Sequence, residues 1–164
     1  METPTQPRTS RTGLFLIAGL AVLFVAWVVY ALVTGSEIAT IRQGEAETYT
    51  VRVADNALER MKGLSGTYAS DLSPEIGMLF VFDEAAERTF WMKGMQYNLD
   101  ILWIKDGKIM KIDENVPYPP HGTEPVSVSS APLLIDMVLE LPAGTADEIG
   151  YLPGHQLTIN LDAE

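Results

Sequence analysis

The hydrophobic positions of the 164-residue chain fall into two textures. Residues 14–33 are twenty positions without a charge, a run that spans about 30 Å as a helix at ~1.5 Å per residue and so matches a bilayer core. Beyond it, apolar residues come in short runs or alternate with polar ones, the signature of strands. Residues 77–82 are a short apolar run that stops at the polar stretch 83–88, as a buried strand does on reaching the surface. Residues 89–93 alternate, placing Phe90 and Met92 on one face and Trp91 and Lys93 on the other, with the larger apolar pair toward the core and the indole left beside an ammonium. Residues 99–105 and 108–113 flank Asp106-Gly107, the two-residue signal of a type I′ hairpin in which both central residues need positive φ.

That turn predicts a register. Lys105 faces Lys108, Trp103 faces Met110 and Ile101 faces Ile112 on one side, while Ile104 meets Ile109, Leu102 meets Lys111 and Asp100 meets Asp113 on the other. Two carboxylates directly opposite each other repel, so a cation, a proton or water has to compensate them. Elsewhere, residues 36–47 read as a linker and residues 48–53 alternate as a strand. Asn56 and Glu59 suggest a capping box opening a helix over 57–62 that Gly63 stops. Residues 116–125 hold four prolines with Tyr118 and His121 and exclude a helix or central strand. An apolar strand over 133–141 carries Asp136 and Glu140, a short helical stretch follows over 143–149, Pro153-Gly154 sets a type II turn, and 156–161 is a closing strand. With strands outnumbering helices, the expected class is α+β: a compact, mainly antiparallel barrel-like or sandwich domain with one or two short helices, preceded by a single transmembrane helix.

The stretch FWMKGMQYNLDILWI, with GMLFVF before it, Glu59-Arg60 and Gly63-Leu64 upstream and VLELPAG downstream, resembles the DUF192 family of small prokaryotic proteins across roughly residues 48–161. The resemblance implies a compact β-rich α+β domain and no agreed reaction. The chain departs from the family pattern at Gly94-Met95, where Asn-Thr is usual, at Asn98, where Pro precedes Leu-Asp, at Ser65, where Met is common, and at His155, where Asp is usual.

The expected organisation is a polar tail over 1–12, an anchor over 13–35, the linker, and a domain over 48–164. A cleavable signal peptide is the other reading of the apolar run, but its core exceeds the usual ~7–15 residues and no clear cleavage site follows. Arg8 and Arg11 precede the run and Arg42 alone follows it closely, which keeps the N-terminus cytoplasmic and puts the domain outside, in the cell membrane as a single-pass protein. Setting aside Arg8, Arg11 and Glu2 leaves nine basic against twenty-one acidic residues. So acidic a domain argues against nucleic acid and against lying flat on anionic lipid. With no cysteine, disulfides, thiolate nucleophiles and thiolate metal sites are excluded.

No phosphate-binding, dinucleotide-binding, nucleophile-elbow or zinc-protease motif occurs, and no cofactor or metal is implied. The two histidines, His121 and His155, fall in a proline loop and a turn, too few for a histidine zinc site. Met92 and Met95 have a spacing that thioether ligands of Cu(I) can use, but methionines in apolar strands fill cores. Asp100 and Asp113, with Glu140 or Asp136, offer either an oxygen-rich cation site or an acid/base pair; alternatively Arg60, Lys93 and Lys111 neutralise them as an internal ion network. The most economical function is a membrane-tethered extracytoplasmic module that binds a small ligand, with Trp91 beside Lys93, roofed by Tyr118 or Tyr97, suiting a sugar ring or an acidic group. The candidate ligand-binding residues are Arg60, Trp91, Lys93, Asp100, Asp113, Tyr118 and Glu140. An enzyme using Asp100 and Asp113, a metal-binding module, and a protein-interaction module presenting the acidic surface to an envelope partner are the alternatives.

Overall fold

The computed structural model describes residues 37–161; the expected tail and anchor lie outside the described residues. Among the described residues no helix is long and apolar enough to cross a membrane. The described residues form nine strands, β1 (Ile38–Gln43), β2 (Thr48–Ala54), β3 (Met78–Ala86), β4 (Thr89–Trp91), β5 (Leu99–Lys105), β6 (Lys108–Val116), β7 (Ser127–Ser129), β8 (Ile135–Pro142) and β9 (Leu157–Asn160), with two short helices, α1 (Ala57–Lys62) and α2 (Thr145–Ile149). Seven strands make one sheet in the order β6-β5-β8-β3-β2-β1-β9, and β4 pairs with β7 in a separate ribbon. Every neighbouring pair is antiparallel except β2 and β3. A parallel pair needs a crossover connection, and α1 with the turn Ala69–Asp71 supplies it.

The sheet curls until its two edges meet. Ile109 N donates to His155 O at 2.9 Å, Gly154 N to Ile109 O at 2.7 Å and Leu157 N to Gly107 O at 2.8 Å, so the start of β6 touches the approach to β9. The result is a half-barrel within the expected α+β class. Its inner face buries Ile41, Val51, Leu79, Leu102, Ile104 and Leu139, together with Ala146 of α2. The outer face of β3, β5 and β8 buries Phe80, Ile101, Trp103 and Val138 beneath Leu64, Leu72, Met92 and Met95. β5 is therefore covered on both sides, which is why its residues from Leu99 to Ile104 are buried without alternation.

Local signals hold where chemistry is local. Asn56 caps α1 by accepting from Leu58 N and Glu59 N at 3.1 Å each. Glu59 reaches back to Asp55 N, one residue before the expected capping-box partner. Asp106 and Gly107 both take positive φ, 50° and 74°, as the type I′ turn requires.

Three expectations are corrected. The segment expected to be a linker contains β1, whose Ala39 and Ile41 are fully buried. β3 continues past Phe82 to Ala86, its polar end pairing irregularly with β8. The hairpin register holds at Lys105 opposite Lys108 and Ile104 opposite Ile109, then shifts: Trp103 faces Lys111, Leu102 faces Ile112 and Ile101 faces Asp113. An extra residue in β6, a β-bulge at Met110, slides the strand by one. A second irregularity at Asn115, with φ 49°, places Leu99 opposite Val116. Asp100 and Asp113 are not opposed.

Candidate functional site

The strand β4 positions the site. Phe90 is locked edge-to-face against Phe80 at 4.8 Å, Trp103 at 5.7 Å and Phe82 at 6.4 Å between ring centroids, and Met92 is buried. Alternation then leaves Trp91 and Lys93 no inward path. The indole is 55 % exposed, with Lys93 Nζ 5.0 Å from its ring centroid, a cation–π distance.

Opposite β4 stands the C-terminal end of α1. Between them lies a cleft of about 30 Å³, walled by Arg60 to Ser65, Phe90, Trp91, Lys93 and Met95, with Phe80 and Glu140 at its base. That volume admits a water or two, or the end of a small substituent. Gly63 allows the close approach: its φ is +49°, and a Cβ there would sit 3.1 Å from the Phe80 ring and 3.9 Å from Glu140 Oε2. Across the cleft mouth Gly94, φ +75°, leaves room for Ser65, whose Oγ would lie 2.1 Å from an added Cβ. Two of the positions where the chain departs from the family pattern thus touch.

Glu140 lies on β8 opposite Met78 and Ile101 and is 5 % exposed. Burial pushes its carboxyl up to about 8 from the usual 4.5. At neutral pH it is mainly protonated and can donate one hydrogen bond into the cleft. Next to this inner cleft is a wider, more open lobe of about 320 Å³ lined by Arg60, Phe82, Glu87, Arg88, Thr89, Phe90 and Trp91. Arg60, Phe90 and Trp91 belong to both.

Four of the seven expected site residues, Arg60, Trp91, Lys93 and Glu140, therefore line one cleft. The other three stand elsewhere. Asp100 is 2 % exposed and spends both oxygens on backbone: Oδ1 accepts from Asn115 N at 2.9 Å, and Oδ2 accepts from Gly144 N at 2.8 Å and Ala146 N at 3.1 Å. It ties β5 to the start of α2 and meets none of Arg60, Lys93 or Lys111, so of the internal ion network offered as one alternative only the Lys111–Asp113 pair forms. Asp113 accepts from Trp103 Nε1 at 2.7 Å and pairs with Lys111 Nζ at 2.8 Å. Asp136 pairs with Lys105 at 2.9 Å and accepts from Asp106 N, bracing the hairpin turn. Tyr118 is held through its backbone N–H to Asn98 Oδ1 at 3.1 Å and lines neither the cleft nor its outer lobe. Tyr97 turns to Thr67, 3.2 Å between their hydroxyls, and Met61 of α1 takes the rim. Met92 and Met95 are 1 % and 5 % exposed within the outer core. Sequence reasoning passed over Phe82 and Arg88, whose guanidinium carbon stacks 3.9 Å from the Phe82 centroid.

Comparison with known proteins gives two kinds of match. The model of the family DUF192, described as an uncharacterized ACR, matches residues 38–159. A crystal structure from Sinorhizobium meliloti 1021, described as a candidate transcription regulator, is 33 % identical, with 76 % of this chain and 93 % of that one covered and a TM-score of 0.59. A protein of unknown function from Novosphingobium aromaticivorans DSM 12444 is 28 % identical, with 74 % and 83 % covered and a TM-score of 0.58. No curated protein matches.

Proposed function

The chain belongs to the DUF192 family, and from that footing we propose that its domain is a binding module whose cleft between α1 and β4 takes a small ligand, a sugar ring foremost. The observation that carries this reading is Trp91, exposed at the edge of a cleft whose floor is the buried Glu140. An indole face in water is apolar area waiting for a partner, and the axial C–H face of a pyranose is one that tolerates a polar rim. Beneath it the Glu140 carboxyl offers a hydrogen bond to a hydroxyl small enough to enter the inner cleft. Binding rather than turnover is favoured because, among the described residues, Glu140 is the one carboxyl lining that inner cleft and no histidine lines it. The candidate regulator description of the Sinorhizobium structure does not direct the reading, since the acidic charge disfavours nucleic acid. In this proposal residues 14–33 tether the domain outside the cytoplasm.

The test is glycan-array binding of the full chain, wild type against Trp91→Ala. Loss of every bound sugar in the variant, with the folded state retained, supports the platform; unchanged binding removes it. For the tether, protease added to intact cells or spheroplasts should digest the domain, and protection until lysis would reverse the orientation.

A further inference from the structure

The charges around the cleft are distributed unlike those of the rest of the domain. Of the nine basic residues within 37–161, four (Arg60, Lys62, Arg88 and Lys93) line the inner cleft and its outer lobe, against two acidic residues, Glu87 and Glu140. Away from the cleft, Arg42, Arg52, Lys105 and Lys111 are each ion-paired. Among the described residues, none of the four at the cleft is. With Lys108 at the start of β6 the one other basic residue outside an ion pair among the described residues, four of the five unpaired cations share this concavity and focus a positive potential there.

The outer lobe also holds its guanidinium groups in fixed positions. Arg60 Nη1 donates to Val81 O at 2.8 Å and to Asp55 O, and Arg88 Nη2 donates to Glu84 O at 2.6 Å. Both stack on Phe82, at 5.3 Å and 3.9 Å from its centroid. Arg88 Nε is buried and, among the described residues, has no hydrogen-bond partner. A buried donor without an acceptor costs about 1–3 kcal/mol, more when charged, and guanidinium pairs suit the planar or tetrahedral oxygens of carboxylate, phosphate and sulfate.

We propose that the outer lobe is an anion subsite in which Arg60 and Arg88 bind the carboxylate, phosphate or sulfate of a ligand whose ring lies on Trp91. The inference rests on the sugar-platform reading for the ring and on the Arg60, Arg88 and Phe82 geometry for the anion, and it names the ligand class as acidic saccharides. The lobe's volume of about 320 Å³ lies at the lower end of the roughly 300–1,000 Å³ of small-molecule sites, enough for one substituted ring beside the inner cleft.

The experiment titrates the full-length protein calorimetrically with matched pairs: trigalacturonate against galactotriose, and galactose 6-phosphate and galactose 6-sulfate against galactose. In parallel, the Arg88 Nε–H resonance is followed by NMR with acetate, inorganic phosphate and sulfate. The charged member of at least one pair should bind about tenfold or more tightly than its neutral partner, one charge-assisted contact's worth. That preference should collapse in Arg88→Gln and with added salt; the pair that shows it identifies carboxylate, phosphate or sulfate. Equal affinity within every pair overturns the inference, as does a preference that survives Arg88→Gln. The salt series needs no variant, so the proposal stays decidable should Arg88→Gln misfold. If neutral sugars bind through Trp91 without charge preference, the platform stands and the subsite falls. If anions move Arg88 Nε–H but no saccharide binds, the subsite stands as an anion site, and the platform and the saccharide class fall. If neither happens, both fall.

Discussion

Asp100 and Glu140 occupy adjacent strands one residue out of step, Asp100 opposite Leu141 and Glu140 opposite Ile101, and both are buried. They face opposite sides of the sheet. On the inner side three backbone N–H groups converge on Asp100, two of them from the opening of α2, where unpaired donors are supplied by the helix itself. On the outer side Glu140 shares the cleft lining with Phe80 and the glycine that ends α1, and among the described residues no donor answers it. The difference lies in what the surrounding backbone offers. A carboxyl that is met becomes a strut, whereas one left unmet at the bottom of a cleft keeps its hydrogen-bonding capacity for something that enters.

The largest effect should come from the strut. Asp100→Ala strands up to three backbone N–H groups, each costing about 1–3 kcal/mol when buried. A loss of roughly 3–5 kcal/mol in chemical denaturation is expected; a loss below about 1 kcal/mol would break the contrast by showing that water serves those donors as well.

Glu140 should behave in the opposite sense. Its folded-state pKa of about 8 lies above the ordinary 4.5. Between those values the unfolded chain releases the proton while the folded chain retains it, so stability is fully present below the window and falls as pH rises through it. Glu140→Gln removes that dependence and should be the more stable protein at pH 8, by on the order of 3 kcal/mol. Urea midpoints of both proteins at about pH 5 and about pH 8 check this, and a wild type as insensitive to pH as the variant would mean that a donor reaches Glu140.

The smallest stability effect belongs to Trp91. More than half exposed, it should cost less than about 1 kcal/mol on truncation to Ala while abolishing ligand binding. A loss of roughly 3–5 kcal/mol, the mark of a buried aromatic, would assign it to the core and move the functional side of the contrast away from β4.

Features that depend on neighbours along the chain were legible before any folding was known. The Asn56 cap, Gly63 stop and Asp106-Gly107 turn are short-range hydrogen-bond and φ requirements, and the alternation of residues 89–93 sent Trp91 outward and Phe90 inward as written. The site was half legible for the same reason: Trp91 and Lys93 share a strand face, so period two alone places them together. What the sequence did not fix is whatever a single residue of slip or a distant segment controls. A bulge at Met110 breaks the apparent opposition of Asp100 and Asp113, because register propagates every irregularity to the end of the hairpin. β1 escaped notice because six residues with two inward side chains, Ala39 and Ile41, carry too short an alternation to stand out until β2 and β9 pair with them. Glu140 reads in sequence like any carboxylate in an apolar strand. Only the packing of α1, β4 and Phe80 around it decided that it is the floor of a cleft, whereas its near neighbour in the sheet became a structural tie.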